Sequence, residues 1–177
     1  MPAPKEQKHT VVVSQQQIAN AVQRCVQVVE KHLVGKGDHV IFICVLKGAF
    51  YFFSDVVRHF SERPYEIDFC KLSSYEGVGS KGHVEMQLPC RTSVRGKHAV
   101  VFEDIVDTGL SLSFLRNYFK SEGVASLMIC TLLQKPELRV VDAHADFVGI
   151  EVPNKFLIGY GLDCDEKHRL RLDIREL

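Results

Sequence analysis

The chain has 177 residues, of which 46% are hydrophobic, so its length and composition predict one domain with a sizeable buried core. Its 22 Lys and Arg balance its 22 Asp and Glu, and a net charge of zero argues against a general nucleic-acid-binding or membrane-binding surface. The sequence shows neither a long apolar span nor a secretory signal, and its six cysteines form no C-x-x-C pair, so we expect reduced core thiols and a cytoplasmic location.

The chain is expected to begin with a loose tail that leads into a capped helix. Residues 1–10 are polar, and we expect them to be flexible. Ser14 is a suitable N-cap for a helix that ends near Leu33, because apolar side chains recur on one face of that segment, at Ile18, Val22, Val26 and Val29.

The rest of the chain alternates apolar, strand-like runs with amphipathic segments. Strands are predicted at 11–13, 39–46, 67–73, 84–88, 98–103, 126–133, 146–150 and 156–160. Two further helices are predicted over 50–60 and 110–121, and the segment 74–83, with three glycines and no core pattern, is expected to be a mobile loop. This alternation predicts an α/β fold with a mainly parallel sheet and helices on both faces, whose ligands bind at the carboxyl ends of the strands.

The most informative segment joins the strand at 98–103 to the helix at 110–121. Glu103 and Asp104 follow four apolar residues, and the loop Asp107-Thr108-Gly109-Leu110-Ser111 comes next. Backbone N–H groups, hydroxyls and the positive end of the helix dipole at such a junction favour a phosphate. The acidic residues fit such a site if they bind Mg²⁺ or the hydroxyls of a sugar that carries the phosphate. The alternative is that Asp107 or Thr108 caps the helix without a ligand, but two more carboxylates beside a buried strand are costly without partners.

Three other strand ends carry residues suited to a ligand. Lys47-Gly48 offers a positive charge and a close backbone approach to an anion, or else forms an ordinary turn. Lys135 is able to donate to a carbonyl oxygen of a ligand, or else is a solvated loop lysine. Phe156 either stacks on a base or packs in the core, and Asp163 is a candidate metal ligand.

Taken in order, these segments resemble the purine phosphoribosyltransferases, specifically the hypoxanthine-guanine branch, over about residues 11–169. The loop 101–111 is similar to that family's phosphoribosyl pyrophosphate motif, and Leu46-Lys47-Gly48 to its pyrophosphate loop, which often contains a non-proline cis peptide. The segments around Lys135 and Phe156 select the 6-oxopurine branch. The resemblance implies a type I phosphoribosyltransferase fold, with one domain over 11–177 and a small hood built from about 11–16 and 150–177.

The resemblance also implies a reaction. Such an enzyme transfers the phosphoribosyl group from phosphoribosyl pyrophosphate to a 6-oxopurine (hypoxanthine, guanine or xanthine), and releases pyrophosphate and a nucleoside monophosphate (IMP or GMP) in purine salvage. Mg²⁺ is the implied cofactor, with Asp163 as its direct ligand and Glu103 and Asp104 as further metal or ribose ligands. A homodimer or homotetramer is implied, without nucleic-acid or membrane partners.

Each remaining site residue takes a role from the family motif that it matches. Asp107 would accept or hydrogen-bond the proton at purine N7, as a catalytic residue. The 5′-phosphate would be held by Asp107, Thr108, Gly109, Leu110 and Ser111, and pyrophosphate by Lys47, Gly48 and Arg169. Lys135 would bind the 6-oxo group, and Phe156, Leu157 and Asp163 would contact the base. Ser74 and Tyr75 would close over the site. Leu110 departs from the lysine common at its position, which we expect to matter little because its backbone faces the phosphate.

Other functions stay open at this point. A phosphoribosyltransferase for a pyrimidine is expected to lack the pair Lys135 and Phe156. A non-catalytic regulator of the same fold, binding phosphoribosyl pyrophosphate or a nucleotide, is expected to show a basic face, which the balanced charge of this chain does not favour.

Overall fold

The computed structural model describes residues 9–75 and 83–177 of the protein. The predicted flexible tail lies mostly outside the described residues, as does the glycine-rich loop expected to be mobile. For Ser74 and Tyr75, which end a strand, the backbone is described and the side chains are not.

A six-stranded sheet forms the centre of the molecule, and its strand order is β4-β3-β2-β5-β6-β7. These strands are β2 (Val40–Leu46), β3 (Glu66–Tyr75), β4 (His83–Leu88), β5 (His98–Val106), β6 (Ser126–Gln134) and β7 (Phe147–Glu151). The neighbours from β3 to β7 pair in parallel, and only the edge strand β4 is antiparallel. The predicted, mainly parallel sheet is therefore confirmed.

Helices cover both faces of this sheet, as predicted. Helix α1 (Gln15–Leu33) begins with a capping box, in which Ser14 and Gln17 bond each other's backbone N–H groups. It packs on one face with α2 (Phe50–Val57), and α3 (Leu110–Ser121) packs on the opposite face. The helix predicted over 50–60 is α-helical only to Val57, because its last three residues tighten into a 3₁₀ turn.

Alternating side chains of the central strands divide the core between the two faces. In β2, Phe42 and Cys44 face α1 and α2, whereas Ile41 and Ile43 face α3, and all four are buried. Phe102 of β5 meets Phe42 edge-on, with ring centroids 5.9 Å apart. Burial on both sides makes β2 and β5 the best-anchored elements of the fold, and the candidate site lies at their carboxyl ends.

Three predicted strands have ends that are wrong by two residues or more, and one of them is β3, which continues beyond residue 73 to Tyr75. Strand β5 continues beyond residue 103, because Ile105 and Val106 still pair with Leu133 and Gln134 of β6. The strand predicted over 156–160 contains only two residues, because its last positions turn away from the extended conformation. Glu103 and Asp104 are consequently held inside a ladder of hydrogen bonds rather than at its end.

A second, three-stranded sheet joins the two terminal parts of the chain. It contains β1 (Val11–Val13), β8 (Leu157–Ile158) and β9 (Ile174–Glu176) in the order β1-β9-β8, with antiparallel pairing. We propose that this sheet belongs to the small hood expected from about 11–16 and 150–177, within one domain over 11–177.

The cysteines agree with the expectation of reduced core thiols. All six cysteines are free, and Cys44, Cys70 and Cys130 are buried in the core. Among the helices of the described residues, none combines the length and the apolar character needed to cross a membrane.

Candidate active site

A cleft of about 710 Å³ opens at the carboxyl edge of the central sheet. It brings together ten of the sequence-predicted site residues, from three separate segments: Lys47, Gly48, Glu103, Asp104, Asp107, Thr108, Leu110, Ser111, Asp163 and Arg169. The parallel strands β2 and β5 end side by side here, which explains how residues distant in sequence converge.

The loop between β5 and α3 presents the start of a helix to the cleft. Gly109 is the N-cap of α3 with φ +85°, a left-handed conformation that glycine adopts without steric cost, and a Cβ there would crowd Arg139 and Val141. No side chain makes an N-cap hydrogen bond, although Thr108 Oγ1 accepts from the Leu110 N–H at 3.4 Å. Capping by Thr108 is therefore limited to this one long bond, and the other first-turn N–H groups of α3 are suited to an anion.

Glu103 and Asp104 form a like-charge pair at the floor of the cleft. Glu103 is only 6% exposed, and burial, with the Asp104 charge as a smaller cause, raises its pKa well above the usual range. Burial also raises the pKa of Asp104 to about 6, although the Ile105 N–H, which donates to Asp104 Oδ1 at 2.8 Å, and nearby Arg169 oppose this shift. Ionising both carboxyls is therefore costly in the free protein, and a cation or sugar hydroxyls would stabilise the ionised pair.

Two glycines allow three backbone segments to meet beside these carboxylates. Gly48 follows the cis peptide Leu46–Lys47, and a Cβ at Gly48 would overlap the Asp104 carboxylate. Gly161, with φ +101°, lies so close to Gly48 that a Cβ at position 161 would overlap the Gly48 carbonyl. The Lys47-Gly48 segment is thus held between β5 and the chain near Gly161, which the interpretation as an ordinary turn does not explain.

Two cations, Lys47 and Arg169, share an acidic partner in the cleft. Glu166 Oε2 lies 2.9 Å from Lys47 Nζ and 3.2 Å from Arg169 Nη2. Arg169 Nη2 is also 2.9 Å from Asp163 Oδ1, and its Nη1 donates to the Gly161 carbonyl at 2.7 Å. Sequence reasoning missed Glu166, although an acidic residue three positions before a candidate phosphate-binding arginine is a signal that would have found it. It also missed Gly161 and the lining residue Lys71.

Asp107 and Lys135 form a second charged pair. Asp107 Oδ1 is buried, has no hydrogen-bond partner and lies 3.4 Å from Lys135 Nζ. Lys135 is 8% exposed, and its backbone N–H donates to the Val106 carbonyl at 2.9 Å. The interpretation of Lys135 as a solvated loop lysine is therefore wrong. Asp107 Oδ1 is thus ion-paired with Lys135 but accepts no hydrogen bond, and a ligand with a proton to donate would supply that missing contact.

The predicted base-stacking residues lie outside the lining of the cleft. Phe156 is 58% exposed, which contradicts the alternative that it packs in the core, while Leu157 is buried in the core beside it. The expected closure by Ser74 and Tyr75 concerns side chains outside the described residues. An exposed aromatic ring remains compatible with stacking on a ligand.

The donor set is suited to Mg²⁺ bound together with a substrate. In the described part of the chain, no group of three or more His, Cys, Asp or Glu side chains is arranged to hold a metal alone. Mg²⁺ usually takes one or two carboxylates, water and substrate phosphate oxygens rather than a complete protein cage. Asp163, Glu103 and Asp104 supply such carboxylates around one cleft.

Comparison with known proteins gives one consistent family. Residues 11–165 match the model of the phosphoribosyl transferase domain. The hypoxanthine-guanine phosphoribosyltransferase of Streptococcus thermophilus is 40% identical over 160 residues, which are 90% of this chain and 87% of that protein.

Two solved structures are similar across nearly their whole length. A Bacillus anthracis hypoxanthine-guanine phosphoribosyltransferase has a TM-score of 0.88 and 35% identity, and the match covers 97% of this chain and 99% of that one. The Trypanosoma cruzi hypoxanthine phosphoribosyltransferase in complex with the product IMP has a TM-score of 0.88 and 36% identity, covering 99% and 97%.

The carboxylate pair predicts a pH-dependent stability. Because folding raises the pKa of Asp104 from 3.8 to about 6, the unfolded chain releases this proton at lower pH than the folded chain. Asp104 therefore adds no penalty below pH 4, becomes increasingly destabilising between about pH 4 and 6, and has its full effect above that range. In metal-free buffer, we expect Asp104→Asn to gain stability over the parent protein as pH rises through this window. Chemical denaturation from pH 4.5 to 8 measures the difference in unfolding free energy between Asp104→Asn and the parent protein. A difference that stays constant or shrinks as pH rises would contradict the predicted role of Asp104.

Proposed function

The chain belongs to the phosphoribosyl transferase domain family, and we propose that it transfers the phosphoribosyl group of phosphoribosyl pyrophosphate to a 6-oxopurine, releasing pyrophosphate. The observation that carries this proposal is the pairing of Asp107 with the buried Lys135 beside the N-terminus of α3. This reaction needs a phosphate site next to a proton acceptor and a cation. The N-terminus of α3 would supply the phosphate site, Asp107 the proton acceptor and Lys135 the cation. Hypoxanthine and guanine are the expected bases, with IMP and GMP as products in purine salvage.

The phosphoribosyl group would bind along the loop that follows β5. The backbone of residues 107–111, with the hydroxyls of Thr108 and Ser111, would hold the 5′-phosphate. The ribose hydroxyls would then lie toward Glu103 and Asp104, because these carboxylates precede the loop and line the same cleft. Carboxylate oxygens accept hydrogen bonds from hydroxyls, which would compensate for part of the cost of burying two negative charges.

The purine would lie against the Asp107–Lys135 pair. Lys135 Nζ would donate to the 6-oxo group, and Asp107 would accept the proton of purine N7, since the two groups are 3.4 Å apart and these purine atoms are neighbours. The exposed ring of Phe156 would stack on the base, with backbone groups of Leu157 and Asp163 at its far edge. The side chains of Ser74 and Tyr75 would close the site against water.

The leaving pyrophosphate would lie between Lys47, the Gly48 backbone and Arg169, the cationic side of the cleft. Mg²⁺, held by Asp163 and supported by Glu103 and Asp104, would supply charge neutralisation of that group when bound.

In the reaction, the bond between ribose C1′ and the pyrophosphate oxygen breaks, and a bond from C1′ to a purine nitrogen forms. The transition state would resemble an oxocarbenium ion, as in glycoside hydrolysis. The purine must lose one proton for the product to be neutral at the base, and Asp107 is placed to take it. The electron pair of the broken bond leaves with pyrophosphate, which the two cations stabilise.

Two properties of the whole protein belong to the same proposal. A cytoplasmic location is supported by six free cysteines, which suit a reducing compartment. A homodimer or homotetramer is proposed from the family to which the chain belongs. The alternative of a non-catalytic regulator is not favoured, since the similar proteins are named as transferases and the candidate base Asp107 is present.

The role of Asp107 predicts a strong effect of Asp107→Asn, which keeps the shape and removes the basic oxygen. We expect kcat to fall about 10²- to 10⁴-fold with the fold intact, as for loss of a general base. Asp142→Asn, at an exposed loop carboxylate, is the matched control. Steady-state assay of nucleotide formation measures the effect, and near-normal turnover of Asp107→Asn would remove this residue from the proton-accepting role.

The role of Lys135 predicts an effect on one substrate only. Lys135→Ala removes a hydrogen bond to the 6-oxo group, so KM for hypoxanthine should rise roughly 10- to 100-fold while KM for phosphoribosyl pyrophosphate changes little. Lys120→Ala, at an exposed position in the last turn of α3, should change neither value. Equal increases in both KM values for Lys135→Ala would contradict a role in base recognition.

A further inference from the structure

The cationic side of the cleft already holds an anion that belongs to the protein itself. One oxygen of the Glu166 carboxylate, Oε2, bridges Lys47 Nζ at 2.9 Å and Arg169 Nη2 at 3.2 Å. The two cations come from segments 122 positions apart in sequence, and Glu166 connects them across the mouth of the cleft. A single oxygen between an ammonium and a guanidinium has the surroundings that a phosphate oxygen would have.

The backbone of Glu166 is arranged to place that carboxylate. Cys164 and Lys167 bond each other's backbone groups in a tight turn, and the two residues between them, Asp165 and Glu166, have φ values of +50° and +62°. A left-handed conformation is unfavourable at a glutamate, and two contacts offset its cost here. The Glu166 N–H donates to Asp163 Oδ2 at 2.9 Å, and its carboxylate binds the two cations.

We propose that Glu166 is an internal substitute for a pyrophosphate oxygen, which occupies Lys47 and Arg169 in the free protein and is displaced when pyrophosphate binds. The inference rests on the proposed function, in which those two cations bind the pyrophosphate group. The displaced carboxylate is 64% exposed in its side chain, so it exchanges its protein contacts for water at little cost. Glu166 thereby weakens the binding of phosphoribosyl pyrophosphate and promotes the release of product pyrophosphate.

The opposite role is also physically defined. If Glu166 merely positioned Lys47 and Arg169 for the substrate, removing its charge would loosen both side chains and weaken pyrophosphate binding. Displacement and positioning thus predict changes of opposite sign, so one binding measurement distinguishes them.

The test is Glu166→Gln, which keeps the side-chain shape and removes the charge. Asp165→Asn is the matched control, because it removes one negative charge from the neighbouring position of the same turn, and in the described structure no ion pair joins Asp165 to Lys47 or Arg169. Isothermal titration of the full-length protein with inorganic pyrophosphate and Mg²⁺ gives Kd for each variant. Phosphoribosyl pyrophosphate and hypoxanthine KM values provide an independent readout.

We expect Glu166→Gln to bind magnesium pyrophosphate about three- to tenfold more tightly than the parent protein, and more tightly than Asp165→Asn. KM for phosphoribosyl pyrophosphate should fall in parallel, and KM for hypoxanthine should not change. Binding by Glu166→Gln that is unchanged, weaker, or matched by Asp165→Asn would overturn the inference while leaving the proposed function intact. Failure of the parent protein to bind pyrophosphate would instead reject the pyrophosphate site of the proposed function, and the inference with it.

Discussion

The accumulation of carboxylates beside the carboxyl end of a buried strand is the constraint on which the rest of the site depends. Glu103 and Asp104 are adjacent in β5, and burial raises the pKa of both. A folded protein tolerates such a pair because β5 is fixed by β2 and β6 on its two sides and by aromatic packing around Phe102. A ligand that brings hydroxyls and a cation to the pair would recover the stability lost there.

Close backbone packing places these carboxylates in a cleft of defined shape. The Asp104 carboxylate lies where a side chain at Gly48 would be, and the Gly48 carbonyl lies where a side chain at Gly161 would be. Asp163 and Arg169 follow Gly161 in the chain and complete the opposite wall. The two glycines therefore fix the distance between the cationic and anionic sides of the cleft. The charge of Arg169 opposes part of the rise in the pKa of Asp104.

Local rules predicted those parts of the fold whose stability is local. Ser14 and the apolar face behind it predicted the start of α1, and the loop ending at Gly109 predicted the start of α3, because caps and periodicity act within a few residues. The end of β5 could not be predicted in this way, since it depends on pairing with Leu133 and Gln134 of β6.

The candidate site shows the same division. The phosphate loop and both carboxylates are visible as one segment of sequence, but the burial of Lys135 beside Asp107 and the bridge from Glu166 to Lys47 depend on tertiary contacts. No spacing rule connects residues 47 and 166. The resemblance to a known family supplied the roles of distant residues such as Arg169, which spacing alone did not suggest.

The central claim is that this cleft joins a 6-oxopurine to a phosphoribosyl group, and a panel of bases tests it most directly. The purified protein is mixed with phosphoribosyl pyrophosphate, Mg²⁺ and one base at a time, with hypoxanthine, guanine, xanthine, adenine, uracil and orotate as the set, and products are followed by ultraviolet absorbance and pyrophosphate release. The account predicts IMP from hypoxanthine or GMP from guanine, with stoichiometric pyrophosphate, and no product from adenine or the pyrimidines. Nucleotide formation from a pyrimidine, or tight binding of phosphoribosyl pyrophosphate without turnover of any base, would contradict it.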